Sequence, residues 1–350
     1  MADIDNFNPN DVGIKGTLFG LPFDTDSAKV VVIPVPWDVT VSYGAGTADG
    51  PEAILEASSQ IDFSQLDIAE PWKLGVAMAD IPEVWYSLGR ELREKSEDYI
   101  AWLEEGSNEE EREEMEAILA EVNEQTNQLM KYVKQQSEYW LKQGKTTILV
   151  GGDHSTPLGH FQACAKHYGD FGLLQIDAHA DLREAYEGFE FSHASIMTNA
   201  LKIKELTKLV QVGIRDFCDE EQQLIANSNG RVVTFFDQQL KHDQYAGKTW
   251  ATQCEEIIKE LPQQVYISFD IDGLDPKLCP NTGTPVPGGF DLEQVMYLIK
   301  QVVKSGRTII GCDLNEVSPS EDEWDANVGA RALYRMINLM AASKGMLQLN

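Results

Sequence analysis

Apolar residues along this chain are distributed in contrasting patterns. Short, nearly unbroken runs rich in Val, Ile and Leu occur at Lys29–Val35, Thr146–Val150, Gly172–Ile176, Leu209–Ile214, Val232–Phe236, Val265–Phe269 and Thr308–Cys312. Their length and β-branched content predict strands buried on both faces. Between them, Glu52–Ser58, Leu158–His167 and Asn327–Ala342 predict helices, the first opened by Pro51, which suits a first turn. The stretch Val84–Lys142 is different: charged, helix-prone and almost free of Gly and Pro. Leu119, Val122, Leu129, Met130 and Val133 recur there at helical spacing and predict an amphipathic helix. The acid cluster Glu109–Glu114 is expected to start it, with Ser107 or Asn108 as cap.

Strands alternating with helices predict an α/β protein with a central parallel sheet covered by helices on both faces. No internal repeat or low-complexity linker divides the chain. The expected organisation is a single domain over 1–350, with an irregular N-terminal arm at 1–28 and a helical insertion at 84–142. Ligands of such sheets bind outside the carboxyl ends of the strands, and the chemically distinctive residues of this chain sit at those ends.

The chain has 350 residues, with 57 acids against 28 basic residues and a net charge of −29. Such a surface repels nucleic-acid phosphates and anionic lipid, and attracts metal ions and small cationic substrates. The 5 cysteines are scattered, with no C-x-x-C pair, a pattern that fits reduced thiols in the cytoplasm. Met1–Asp5 is acidic with no apolar segment of the export type behind it, and no apolar run is long enough to span a membrane.

Three segments carry the chemistry: Gly151-Gly152-Asp153-His154-Ser155, Asp177-Ala178-His179-Ala180-Asp181, and Ser268-Phe269-Asp270-Ile271-Asp272-Gly273-Leu274-Asp275-Pro276. Each follows a predicted strand. A lone Asp-x-Asp after a strand is ordinarily a turn or helix cap. Several buried acids at successive strand ends, however, need cations to balance them. Carboxylates and imidazoles together can hold two divalent ions about 3.5–4 Å apart that activate one shared water. Oxygen ligands with a few imidazoles suit Mn2+, and also Ni2+ or Fe2+. No cysteine lies in these segments, which argues against structural zinc.

In this order the three segments resemble the signatures of the ureohydrolases, which comprise arginase, agmatinase, guanidinobutyrase, formimidoylglutamase and guanidine hydrolase. The resemblance runs from Lys29 to the C-terminus and implies a three-layer α/β/α sandwich. It implies one metal on His154, Asp177, Asp181 and Asp270, and another on Asp177, His179, Asp270 and Asp272, with Asp177 and Asp270 bridging. It assigns proton shuttling to His193, in Phe191-Ser192-His193-Ala194-Ser195, and guanidinium binding to Glu316, in Asp313-Leu314-Asn315-Glu316-Val317. Asp272 is a further candidate proton carrier, and Ser195 a candidate pocket residue. Homo-oligomers, trimeric or hexameric, are implied as well.

The substrate is less constrained. Arginase carries a Ser-, Thr- and Asn-rich loop that grips an amino-acid head group; here the matching stretch is Leu182-Arg183-Glu184-Ala185-Tyr186-Glu187-Gly188-Phe189-Glu190-Phe191-Ser192, closer to agmatinases. The Val84–Lys142 insertion and Trp324, in Glu321-Asp322-Glu323-Trp324, are similar to the guanidine hydrolase branch, for which nickel is the implied metal. Trp324, Trp37 and Tyr43 are expected to wall a small pocket. The first expectation is therefore hydrolysis of free guanidine to urea and ammonia. The alternative is agmatine hydrolysis to putrescine and urea, ahead of guanidinobutyrase, arginase or formimidoylglutamase activity. A catalytically silent metal-binding protein is the non-enzymatic alternative.

Overall fold

The structure is a computed structural model that describes Ile4 and residues 7–350. The remaining N-terminal residues, on which the expected lack of an export signal partly rests, lie outside the described residues. In chain order the elements are β1 (Val30–Val35), α1 (Gly50–Ser58), β2 (Val76–Met78), α2 (Glu83–Glu104), α3 (Arg112–Lys142), β3 (Thr146–Gly151), α4 (Leu158–Tyr168), β4 (Phe171–Ile176), α5 (Ile196–Ala200), β5 (Leu206–Ile214), α6 (Asp219–Asn227), β6 (Val232–Phe236), α7 (Asp237–Tyr245), α8 (Trp250–Lys259), β7 (Gln264–Asp270), α9 (Leu292–Lys304), β8 (Thr308–Asn315) and α10 (Trp324–Ser343).

The strands form one 8-stranded sheet in the order β2-β1-β3-β8-β7-β4-β5-β6. All its pairings are parallel. The last two strands of the chain fill the gap between its two halves, so β3, β8, β7 and β4 become the centre. Apolar residues of α1, α8, α9 and α10 form the core on one face, among them Ile54, Ile257, Ile299 and Met336. Those of α2, α3, α4 and α5 form the core on the other, among them Leu92, Val133, Phe161 and Met197. This is the expected three-layer sandwich. No helix among the described residues is long and apolar enough to cross a membrane.

Every predicted strand is present. β2 escapes the pattern because its Val-Ala-Met run is too short to show a period. Helices α5 to α9 were not among the expected elements, although Val295, Ile299 and Val302 of α9 do recur at helical spacing. The 84–142 stretch is two helices, and it is the sandwich layer over β1 and β3. Leu92, Tyr99 and Ile100 of α2 and Val122, Leu129 and Val133 of α3 are buried against the sheet and α4. The acid cluster forms the turn between the two helices and the start of α3. Asn108 does not cap the helix; its Oδ1 accepts the Glu110 N–H at 3.1 Å, a local turn that competes with capping. The Leu18–Leu21 part of the N-terminal arm is also packed: Leu18, Phe19 and Leu21 are buried, and the Phe19 N–H donates to Ser58 Oγ at 2.8 Å.

Side-chain alternation decides which face receives the chemistry. Along β7, Val265, Ile267 and Phe269 enter the core beneath α8–α10, and Tyr266 enters the core beneath α2–α5. Ser268 and Asp270 therefore point to the Tyr266 side. On β8, Cys312 and Leu314 face α10, which turns Asp313 and Asn315 to the same side as Ser268.

Candidate metal centre and its cleft

Four adjacent strand ends open onto one spot. The loops after β1, β3 and β8 are stitched by backbone bonds, Gly152 N–H to Val35 O at 2.9 Å and Glu316 N–H to Gly152 O at 2.8 Å. Gly152 is required there: a Cβ would lie 2.1 Å from the Trp37 carbonyl oxygen. His154 follows on this loop, Asp177 leaves β4, and Asp270 and Asp272 leave β7.

All six expected ligands converge. His154 Nδ1 lies 3.0 Å from Asp177 Oδ2, 3.0 Å from Asp181 Oδ2 and 3.3 Å from Asp270 Oδ2. His179 Nδ1 lies 2.9 Å from Asp272 Oδ2 and 3.7 Å from Asp177 Oδ1. Ligand atoms of His154, Asp177 and Asp270 form one group close enough to hold an ion, and those of Asp177, His179 and Asp272 another. Asp177 is common to both. The backbone fixes these carboxylates in turn: Asp177 Oδ1 accepts the His179 N–H at 2.6 Å, Asp270 Oδ1 the Asp272 N–H at 2.9 Å, and Asp272 Oδ1 the Ala178 N–H at 3.0 Å.

The donor set fits two divalent cations. His154 is buried, and its Nδ1 has no hydrogen-bond partner although three carboxylates face it. Its Nε2 lies 2.9 Å from Ser268 Oγ, which donates in turn to Asp313 Oδ1 at 2.9 Å. That order assigns the ring proton to Nε2 and leaves the Nδ1 lone pair facing the acids, the tautomer a metal ligand needs. Without a cation, protons occupy the space. Burial alone would lower His154, but Asp177, Asp181 and Asp270 raise it well above its ordinary range. Burial, reinforced by Asp177, pushes Asp181 up to about 7. Burial, with Asp272 and Asp177 beside it, raises Asp270 well above the carboxylate range. Metal ions and protons therefore compete for one cluster.

Glu316 is buried beside this cluster. Its Oε1 accepts the His154 N–H at 2.9 Å. Burial and then the neighbouring Asp153 raise its pKa well above the ordinary value. His193 opens a short 3-10 helix after β4. Its Nδ1 is buried without a partner, and burial followed by the charges of His179 and His154 lowers it to about 3. It lines the cleft over the cluster together with Ser42, His179, Asp181, Tyr186 and Asp216.

The expected pocket walls need correction. Trp37 is fully buried and meets Trp85 edge-on at 6.1 Å, so it is core beneath α2. Ser195 is buried as well, and its Oγ accepts the Ser192 N–H at 3.0 Å and donates to Glu190 O at 3.1 Å; it braces the His193 turn from behind. Trp324 starts α10, is 42% exposed, and donates its indole N–H to Lys277 O at 3.0 Å; it is not part of the cleft lining. Tyr43 is 83% exposed, while Ser42 beside it faces the cleft. The sequence reading assigned no role to Ser268, Asp313, Tyr186 or Asp216. Ser268 was readable by alternation, two residues before Asp270 on one strand face.

A sequence profile of the arginase family matches residues 28–338. Among solved structures, a proclavaminate amidino hydrolase from Streptomyces clavuligerus superposes with a TM-score of 0.70 at 22% identity, covering 93% of this chain and 97% of its own. An arginase from Bacillus subtilis gives 0.62 at 19% identity, covering 88% and 98%. At these identities the likeness bears on fold. An N(1)-aminopropylagmatine ureohydrolase from Thermus thermophilus is 32% identical over 323 residues, 92% of this chain and 94% of that protein. An agmatinase from Escherichia coli is 30% identical over 332 residues, 93% and 91% of the two chains. With the profile spanning most of the sequence and a 32% identical relative spanning nearly all of it, this chain belongs to the arginase family and is a metal-dependent amidinohydrolase, a ureohydrolase.

Proposed function

We propose that the chain hydrolyses a guanidino group on an alkyl tail that carries a second cation, of the agmatine or aminopropylagmatine kind, to urea and an amine. The observation that carries this reading is full-length similarity to relatives named for those substrates, at 32% and 30% identity. The first expectation, free guanidine, has less support. The relatives bear agmatine-type names, and Trp324, the ring invoked to close a small pocket, is engaged with Lys277 instead. The cleft offers a cationic tail an acid at its rim: Asp216, with its side chain 67% exposed, stands 3.8 Å from His179 Nε2. Arg183 lines the same cleft, its guanidinium over the Tyr186 ring at 4.9 Å.

Two divalent ions held by His154, Asp177, His179, Asp181, Asp270 and Asp272 would acidify a water between them. Either Mn2+ or Ni2+ suits the donor set. Glu316 receives the guanidinium. Buried and protonation-prone when alone, it ionises as the cation arrives, and its two oxygens match paired guanidinium N–H groups. Gly283 leaves room beside it, since even a Cβ there would sit 3.2 Å from Glu316 Oε2. Burial opposes ionisation of Asp272, but His179 and the Ala178 N–H outweigh it and hold this carboxylate below its ordinary range, so it stays ionised, as a metal ligand must. His193 is neutral at physiological pH because burial disfavours its charged form, and its unpartnered Nδ1 lets it serve as a transient relay of a proton to the leaving amine rather than as a resting base. The unpaired cysteines support a cytoplasmic setting.

A urea-release screen tests the reading, using agmatine, aminopropylagmatine, guanidine, methylguanidine, guanidinobutyrate and arginine, each after reconstitution with Mn2+ or Ni2+. Agmatine or aminopropylagmatine is expected to lead guanidine by at least about tenfold in kcat/KM, since the tail adds binding groups that guanidine lacks. A preference for guanidine or arginine would overturn it.

A further inference from the structure

The α2–α3 hairpin does more than cover the sheet. Asn123, on the outer part of α3, reaches the loop that carries His193. Its Nδ2 donates to Gly188 O at 3.1 Å, and its Oδ1 accepts the Glu190 N–H at 2.8 Å. The residue between, Phe189, is fully buried and meets Tyr99 of α2 edge-on at 5.4 Å. A donor, an acceptor and an anchoring ring therefore hold three consecutive loop residues on the hairpin.

The same loop is tied to the site. Tyr186 and Phe189 exchange backbone bonds of 3.2 and 2.9 Å across the Glu187-Gly188 turn, which places Tyr186 at the cleft. The Glu190 carbonyl, one peptide unit from the N–H that Asn123 holds, accepts Asn199 Nδ2 at 2.8 Å and Ser195 Oγ at 3.1 Å. Ser195 belongs to the turn that His193 opens, and Asn199 to the helix α5 that continues it. The Arg183 N–H closes the loop onto Ala194 O at 3.0 Å. A continuous set of hydrogen bonds thus runs from Asn123 through Glu190 to the residues bracing His193.

We propose that Asn123 is a positioning residue for this reaction: it fixes the Arg183–His193 loop, and so sets where Tyr186 and His193 stand over the metal centre. It touches no ligand and no reacting atom. Gly188 is the matching element on the loop. It has a φ of +86°, and a Cβ there would lie 2.9 Å from Leu119 and 3.0 Å from the Tyr99 hydroxyl, so only glycine lets the loop seat against the hairpin.

The test compares metal-loaded wild type, Asn123→Ala and, as a control on the same helix, Glu124→Ala. Amide hydrogen exchange across residues 183–193 is the first readout and needs no substrate. In Asn123→Ala the loop should exchange about tenfold faster, the scale expected on losing two hydrogen bonds. Metal content and melting temperature should match wild type. The kinetic readout rests on the proposed function and uses the best substrate of the urea screen. There kcat should fall by about tenfold with little change in KM, as expected when a catalytic group is misplaced. Gly188→Ala perturbs the same seam from the other side and should reproduce both effects, whereas Glu124→Ala should show neither. Unchanged loop exchange in Asn123→Ala, or an activity loss that merely follows metal loss or melting, would overturn the proposal. A wild-type enzyme that releases urea from no guanidino compound would instead refute the functional reading, leaving the exchange experiment to decide the role of Asn123.

Discussion

Ser268→Ala deletes one oxygen atom that no metal touches, yet it should weaken metal binding. Ser268 pairs with Asp313 across the β7–β8 ladder, and both are buried beside the buried His154. The hydroxyl accepts from His154 Nε2 at 2.9 Å and donates to Asp313 at 2.9 Å. With the oxygen gone, the next acceptor for the imidazole N–H is Asp313 Oδ1, 4.0 Å away, which is beyond hydrogen-bond reach. Stranding a buried donor costs about 1–3 kcal/mol. The alternative is for the ring proton to move to Nδ1, where it takes the lone pair a metal needs. At about 1.4 kcal/mol per decade, either outcome weakens the affinity of the His154 site by roughly 10–100-fold, the range found for outer-shell partners of metal ligands. Titration of Mn2+ against a competing chelator at fixed neutral pH measures this directly, and the melting temperature of the loaded protein should fall with it. Wild-type affinity in Ser268→Ala would refute the assignment of the Nε2 tautomer and, with it, the role of His154 Nδ1 as a ligand.

Three further outcomes are expected. Asp177→Asn replaces the carboxylate common to both ligand groups with a poor ligand for hard cations; elemental analysis should find less than one ion per chain, and urea release should be lost. Trp324→Ala should leave the ratio of agmatine to guanidine turnover unchanged and only lower the melting temperature, because the indole is spent on Lys277 O; a changed ratio would restore it as a pocket wall. His160 is fully buried between Thr147 and Tyr266, and burial, then the charge of Lys344, lowers its pKa to about 3. The unfolded chain binds this proton below about 6.5 while the folded one refuses it, so the contribution to stability is complete above that pH and is lost as pH falls toward 3. Urea denaturation of metal-free protein at pH 7 and about 4.5 should show wild type losing roughly 2–3 kcal/mol more than His160→Gln on acidification; equal losses would contradict the burial of a neutral ring.

What the sequence determined by itself is the chemistry and its level in the fold. His154, Asp177, His179, Asp181, Asp270 and Asp272 lie within a few residues of strand ends, and a parallel sheet sends such ends to one side. Local pattern sufficed because each ligand segment is contiguous with the strand that aims it. Tertiary structure decided everything that depends on which strands become neighbours. Ser268 meets His154 across 114 residues and Asp313 across 45, and no short window contains those pairs. Trp37, Ser195 and Trp324 read as candidate walls because an aromatic or a hydroxyl beside a site looks the same in sequence whether it faces the cleft or the core. Packing against Trp85, bonding to Glu190 and bonding to Lys277 turned each to another use. Asn123 reads as one more polar residue on a charged helix, and only the seating of α3 on the Arg183–His193 loop brings it two partners at once. Residue type and spacing specify what a segment can bind, but its partners are set by long-range burial, which is a property of the whole folded chain.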